Sequence, residues 1–378
     1  MIFPQIETIH DVIPFIKGYP EFKILHKDGY SVITYMVNNG NTFKGNDHSA
    51  SIRRECRGLK FYPDGRIASR PFHKFFNVNE TEETQLNQID LTKPHKIQVK
   101  LDGSFFTPVL VNNQIQWMTK AGITDFSPLV ENWVNDHFGY NQFATEMIGQ
   151  NVTPIFEFCS PDNKVVIFYE QPQLTLLALR DNFTGEYLDY PMELIKKYEI
   201  AVVDELMEGF ESINHLIDFV RPLENQEGFV IVFEDGFRVK IKADQYILIH
   251  KSLDQIKHNR HIVQMMNDGC LDDVLSILPQ SERTRVNKYL DDFGRVLRRK
   301  ETQLIEDLEE IKYNLDGSND RGLIARMIEQ TIDNRFDKII LFSMLNGKTA
   351  YDSINYLINK NLSKNVSFNE IESWLFSI

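Results

Sequence analysis

The sequence predicts an α+β fold: a first domain of antiparallel sheets with flanking helices over residues 1–245, then an all-α domain over residues 246–378. Three observations carry this. Up to about residue 245, short β-branched or aromatic runs alternate with turn signals. After about residue 250 those runs stop, and apolar residues recur at helical spacings. A chain of 378 residues also exceeds what one core usually serves.

The strand-like runs are Ser31–Val37, Arg57–Tyr62, Lys96–Lys100, Phe105–Val111, Gln114–Thr119, Pro154–Cys159, Val165–Tyr169, Leu174–Leu179, Gly228–Phe233 and Phe237–Ile241. Turns fall at Pro63-Asp64-Gly65, Asn112-Asn113, Asn182 to Gly185 and Asp235-Gly236. The last sits between two strand-like runs, a hairpin signal. A helix is expected over Ser127–His137, with Ser127 as cap and Pro128 in the first turn. Another is expected near 204–219. The second domain reads as helices over Leu271–Leu278, Ser281–Leu315, Asp320–Ile332, Asp333–Leu345 and Asn369–Phe376. In the longest, Val286, Leu290, Phe293, Leu297, Leu304, Leu308 and Ile311 keep the helical period, with charges between them.

At 42% hydrophobic and 25% charged, the chain has the composition of a globular protein with a sizeable core. The net charge of −13 argues against a protein that coats nucleic acid non-specifically. It leaves room for a local basic groove, because salt limits each charge to about 10 Å. Cys56, Cys159 and Cys270 have neither disulfide-framework nor metal-ligand spacing, and no His/Cys pattern suggests zinc. Without an 18-residue apolar run, leader or lipidation motif, the expectation is a cytoplasmic protein with no membrane partner.

Lys100-Leu101-Asp102-Gly103-Ser104 follows a strand-like run and ends in a turn. A lysine attacks phosphorus only as the neutral amine, which neighbouring cations favour. The Asp102-Gly103 turn is expected to bring backbone N–H groups near its tip. Alone, the motif is weak and reads rather as an ordinary exposed hairpin lysine. In Phe156-Glu157-Phe158, alternation turns the carboxylate away from the two rings; singly, it is a solvated edge Glu. Glu227-Gly228-Phe229-Val230 opens the Asp-Gly hairpin, and the return strand carries Lys240 and Lys242 on one face. These two lysines either grip phosphates or form a solvated face.

The ordered set K-x-D-G, F-E-F, E-G-x-V and K-x-K resembles the covalent nucleotidyltransferase superfamily of ATP-dependent ligases and mRNA-capping enzymes. Glu55-Cys56-Arg57-Gly58 and the stretch from Ala68 to Asn77 narrow the resemblance to the phage-type RNA ligase 1 family, from about Tyr35 to the helical tail. DNA-ligase and capping branches follow the K-x-K strand with an OB-fold; here helices follow.

The resemblance implies an ATP-dependent RNA ligase acting through lysyl-AMP and RNA-adenylate intermediates, in tRNA repair. Lys100 would be the adenylated nucleophile, with Lys240 and Lys242 holding the triphosphate. Tyr35, Arg57, Lys74 and Lys120 would line the ATP pocket, with Phe156 or Phe76 on the adenine face. Glu157 would hold the ribose, and Glu227 a divalent metal, Mg²⁺, or its waters. Asp272 is a further metal-water candidate, and Tyr246 also matches. Residues 1–245 would be the adenylyltransferase domain, and 246–378 a helical domain that reads cleaved tRNA. A polynucleotide kinase/phosphatase would be a working partner, in the host cytoplasm if the chain is phage-encoded. Arg283, Arg285, Lys288, Arg295, Arg298, Arg299 and Lys300 would touch tRNA phosphates, or form a solvated helix face. A capping-type guanylyltransferase or DNA ligase shares the core motifs, and an inactive RNA-binding module is the reading from another class.

Overall fold

Alternating side chains build three sheets between Phe22 and Lys242. The computed structural model describes residues 2–36, 42–163 and 165–377; Val37, expected to end the first strand-like run, lies outside them. The chain divides into two units, Met1–Leu248 and Ile249–Ile378.

In the first unit, β1 (Phe22–Lys27), β2 (Tyr30–Tyr35), β3 (Arg57–Phe61) and β4 (Ile67–Ser69) form one antiparallel sheet in sequence order. The two-residue β5 (Phe76–Asn77) belongs to another sheet. There it runs parallel to β13 (Arg238–Lys242), which pairs antiparallel with β12 (Gly228–Phe233), which in turn pairs with β6 (His95–Val99). The third sheet has the order β11-β10-β9-β7-β8. Its strands are β7 (Ser104–Val111), β8 (Gln114–Met118), β9 (Val152–Cys159), β10 (Gln173–Asp181) and β11 (Tyr187–Leu188), all antiparallel.

Period-two alternation decides which face of the β5-β13-β12-β6 sheet is greasy. Ile97, Phe229, Ile231, Val239 and Ile241 pack with Ile213, Leu216, Ile217 and Val220 of the helix Ile213–Val220. Full burial of each such side chain stabilises by about 1.5–3 kcal/mol. Gln98, Val230, Arg238, Lys240 and Lys242 therefore turn to the opposite face, where they line a cleft. β9 sorts its residues likewise. Phe156 and Phe158 enter a core with Trp117, Tyr140 and Phe143, and Glu157 faces the cleft.

Several local expectations change. Val165–Tyr169 forms no strand, because the Val166 and Ile167 amides both donate to the Asp102 carboxylate at 2.7 Å. Ser127 is not the cap of its helix. It lies inside Ser127–Asp136, and its Oγ accepts from the Thr124 amide. The helix expected near 204–219 starts only at Ile213, capped by Ser212. Before it, Leu206 N donates to the Ile97 carbonyl, so this chain edge serves β6 instead. The helices His48–Glu55 and Gly139–Gly149 were not anticipated.

The second unit contains no strand among its described residues. Its longest helix, Gln280–Tyr313, sends Phe293, Leu304, Leu308 and Ile311 into a core with Ile328, Ile340, Ile358 and Trp374. Lys300 is not a free cation on this helix. It is buried, pairs with Asp337 at 3.1 Å and stands over the Trp374 ring, whose Nε1 also donates to Asp337. Arg285 is engaged by Glu282 and the Ile256 carbonyl, and Arg295 by Asp292. No helix among the described residues is long and apolar enough to cross a membrane.

Candidate active site

The cleft in the first unit has a volume of about 590 Å³. Tyr35, Arg57, Lys74, Lys100, Lys120, Glu157, Lys240 and Lys242 all line it. Residues as far apart in sequence as 35 and 242 therefore meet because three sheets present their polar faces to one space.

Lys100 directly follows β6, and its backbone N–H donates to the Gly228 carbonyl at 2.9 Å. That bond places it beside Glu227. Lys100 Nζ lies 2.7 Å from Glu227 Oε2, and Lys242 Nζ lies 2.9 Å from Oε1. Glu227 is buried, whereas the two lysines remain about one quarter exposed. Each ammonium has three donors, so the pair can hold Glu227 and still offer N–H groups to an anion.

The turn after Lys100 is locked from three sides. Asp102 N donates to the Tyr169 hydroxyl at 3.0 Å, and Gly103 N donates to Glu157 Oε1 at 3.2 Å. These amides, expected near the lysine tip, are therefore already engaged. Asp102 Oδ1 accepts from the Tyr246 hydroxyl at 2.7 Å. One carboxylate thus ties the Lys100 turn to the 166–167 backbone and to the residues after β13.

Cations crowd the rest of the wall. Arg57 stacks on Phe105 at 4.6 Å, and its buried Nη1 has no hydrogen-bond partner. Lys120 Nζ donates to the Tyr35 carbonyl and lies 4.1 Å from the centre of the Tyr35 ring. Lys74 Nζ stands 5.0 Å over Phe76, and Lys240 Nζ 5.3 Å over Phe75. None of Arg57, Lys74, Lys120 and Lys240 makes a salt bridge among the described residues. An uncompensated group of this kind is an anion site in waiting.

Burial shapes the proton affinities. Lys240 is pushed down to about 7 by desolvation, with Lys74, Lys100 and Arg57 adding repulsion. Burial also lowers Lys120, and Arg57 and Lys74 repel its charge. Burial would raise the Tyr35 phenol, but the charges of Arg57, Lys74 and Lys120 outweigh it and hold the phenol below its usual range. Glu157 is driven up to about 7 by burial, against the pull of Lys100.

Some expected residues lie elsewhere. Phe156 is fully buried among Trp117, Tyr140 and Phe143, and so cannot face a base in the cleft. Phe76 packs against Phe43 behind Lys74 and does not line the cleft. Glu227 does not line it either. Both of its oxygens already hold ammonium groups, which does not fit a protein-held divalent cation. Asp272 is an exposed residue in the first turn of the helix Leu271–Ile277 of the second unit. No cluster of three His, Cys, Asp or Glu among the described residues could hold a metal ion. Conversely, Phe75, Phe105, Gln98, Leu177 and Arg238 line the cleft and were not singled out. Arg238 had a signal, since it precedes Lys240 by two residues on the same strand face.

Antiparallel sheets around a lysine-rich cleft, followed by a helical unit, are the α+β architecture that the motifs implied. The sequence model of the RNA ligase family matches residues 55–246, from the end of the helix His48–Glu55 through Tyr246. The chain belongs to that family, of the phage RNA ligase 1 type. It is 30% identical to a provisionally named RNA ligase of Thermovibrio ammonificans, over 67% of this chain and 66% of that one. It is 28% identical to a provisionally named bifunctional polynucleotide kinase/RNA ligase of Autographa californica nuclear polyhedrosis virus, over 72% of this chain and 41% of that one. Identity to RNA ligase 1 of bacteriophage TS2126 is also 28%, over 57% of this chain and 55% of that one. The matched region thus spans less than two thirds of these relatives' own lengths.

Proposed function

We propose that the chain is an ATP-dependent RNA ligase that joins 5′-phosphate and 3′-hydroxyl ends, with Lys100 carrying AMP between the two substrates. The observation that supports this best is Lys100 Nζ on the Glu227 carboxylate at 2.7 Å, beside a wall of unpaired cations. Membership of the RNA ligase family supports the substrate class.

In the first step the neutral Lys100 amine attacks the α-phosphorus of ATP. An N–P bond forms as the P–O bond to pyrophosphate breaks, and the proton leaves Nζ with Glu227 as the adjacent acceptor. Arg57, Lys74, Lys120 and Lys240 neutralise the triphosphate, and such positioning and charge neutralisation do most of the work in phosphoryl transfer. AMP then passes to the RNA 5′-phosphate as the N–P bond breaks. A 3′-hydroxyl attacks that phosphate, the phosphodiester forms, and AMP leaves. Mg²⁺ would enter on the nucleotide's own phosphate oxygens. Glu157, partly protonated near neutral pH, suits a ribose hydroxyl as donor or acceptor.

Cleaved tRNA as the natural substrate, and a kinase/phosphatase that prepares its ends, extend this reading. The fusion named in the baculovirus relative gives the second point its motive. Incubation with α-labelled ATP or GTP, denaturing electrophoresis and peptide mapping test the first step. Offering RNA and DNA ends then tests the second. Transfer of GMP in place of AMP, or label on a residue other than Lys100, would overturn the proposal.

A further inference from the structure

Arg57 and Lys120 stand on one cleft wall although Arg57 opens β3 and Lys120 follows β8, a strand of another sheet. An irregularity in β3 brings them together. Ile33 opposes Leu59 and Thr34 opposes Arg57, so Gly58 is an extra residue with no opposite residue on β2. Its φ is +88°, a conformation that glycine adopts freely. Such a bulge shifts the side-chain alternation by one residue. Arg57 and Lys60, which an unbroken strand would send to opposite faces, therefore leave β3 on the same side.

That side meets β7. Arg57 stacks on Phe105, and two residues further along the same face Thr107 receives Lys60. Lys60 is fully buried, and its Nζ donates to Thr107 Oγ1 and to the Gly58 carbonyl, each at 3.1 Å. The hydroxyl of Ser69, opposite Lys60 on β4, donates to the same Thr107 oxygen at 3.1 Å. Burial pushes Lys60 down to about 7, and a neutral amine has two N–H donors, one for each of these oxygens. Lys60, Ser69 and Thr107 do not line the cleft. Lys60 thus holds the carbonyl of the residue that the bulge takes out of the ladder.

Gly58 is also the floor on which Lys120 rests. A Cβ at position 58 would lie 2.7 Å from the Lys120 carbonyl oxygen and 2.9 Å from its Cα, so the two backbones touch. Thr107 pairs with Met118, two residues before Lys120. Lys120 Nζ then reaches the Tyr35 carbonyl at 3.1 Å, and Arg57 hydrogen-bonds to the Tyr35 side chain. A shift of the Gly58 carbonyl would therefore move both cations.

We propose that Lys60 is a positioning residue for the triphosphate, which sets the spacing of Arg57 and Lys120 by holding the Gly58 bulge against β7. This rests on the reading of the cleft as an ATP site. Arg57 and Lys120 grip the phosphates beyond the α-phosphate, so AMP, whose single phosphate lies beside Lys100, depends on Lys60 far less than ATP does.

The test uses the full chain and compares Lys60→Met with the wild type in equilibrium binding of ATP and of AMP. The wild type should bind ATP more tightly than AMP. Lys60→Met should cut that ratio roughly tenfold while AMP affinity stays within about twofold. The KM for ATP in lysyl labelling should rise by a similar factor. Joining of pre-adenylated RNA, which needs no triphosphate, should keep its wild-type rate. Thr107→Val keeps the shape of the interior but removes one partner of Nζ, and should cut the ratio about threefold. Added to Lys60→Met it should cost nothing more, because both changes cut one linkage. An unchanged ratio in folded Lys60→Met, or in Thr107→Val where the first variant does not fold, would overturn the inference. Equal losses for ATP, AMP and pre-adenylated RNA would also overturn it, leaving Lys60 as a stability element. Binding of ATP by the wild type without labelling would instead sink the ligase reading, and the ATP-to-AMP ratio would still decide the inference.

Discussion

Two carboxylates in the first unit each sit between two cations, and they have opposite characters. Glu55 is buried with Arg70 on Oε2 at 3.0 Å and Arg180 on Oε1 at 2.7 Å, and all three side chains are shut off from solvent. Every other guanidinium nitrogen meets a backbone carbonyl, of Pro4, Pro71, Asn182, Phe183 or Gly185, and the whole group is closed to solvent, so it offers a ligand nothing to reach. Glu227 holds Lys100 and Lys242 instead, and these keep free donors at an open cleft. The planar arginine fork consumes its donors in fixed directions, whereas the ammonium rotates and can serve two partners. The same charge arithmetic therefore makes a rigid clasp in one place and an exchangeable one in the other.

Substitutions can break this contrast. The largest effect is expected from Lys100→Ala, which should reduce the acid-labile AMP adduct to background while the melting temperature stays within a few degrees. Normal labelling of that variant by denaturing electrophoresis would refute the assignment. Next comes Glu55→Gln, which strands two buried arginines and should destabilise by about 3–5 kcal/mol in urea unfolding. Glu55 is held down to about 2, burial being outweighed by Arg180 and Arg70. Its stabilisation is therefore present above about 4.5 and lost as pH falls through 2, and the variant should lack that acid slope. A stability near wild type would mean that the clasp is not rigid.

A smaller effect is expected at Lys240. The Ala variant should slow adenylation about 10- to 100-fold, measured by quenched-flow labelling, and Arg should not restore the rate. Lys60 sharpens the comparison further, since it is a buried lysine that makes no salt bridge among the described residues. Its Nζ reaches the Gly58 carbonyl and Thr107 Oγ1, each at 3.1 Å, and burial pushes it down to about 7. The unfolded chain then binds more protons between about 7 and 10.5, so stability should rise across that range by up to about 1.4 kcal/mol per pH unit. Lys60→Met should flatten that rise in pH-dependent unfolding; an unaltered slope would show that Lys60 stays charged.

Much of this was readable from period-two patterns. The hairpin of β12 and β13 turns at Asp235-Gly236, and its alternation puts Lys240 and Lys242 on one face. The same rule, applied to Glu157, already turns its neighbour Phe156 away from the cleft; the expectation that Phe156 meets a base ignored it. Other features were out of reach. β5 is two residues long and exists only because β13 passes beside it. The β-branched run at 165–167 carries a strand propensity that the Asp102 carboxylate overrides from more than sixty residues away. Glu227 reads as a metal ligand in sequence because nothing in its own segment shows that Lys100, 127 residues earlier, and Lys242, on the return strand of the hairpin, take both of its oxygens.

Gly228 carries a lesson for any mutational survey of this protein. Its φ is +137°, and a Cβ there would lie 2.0 Å from the Ile241 carbonyl oxygen and 2.8 Å from the Lys242 Cα. Replacing it by alanine would force β12 and β13 apart at the level of Lys242 and drag Glu227 away from Lys100. Position 228 would then score among the most sensitive in an activity screen, although it contributes no functional group. A survey that ranks residues by lost activity alone would count empty space as chemistry.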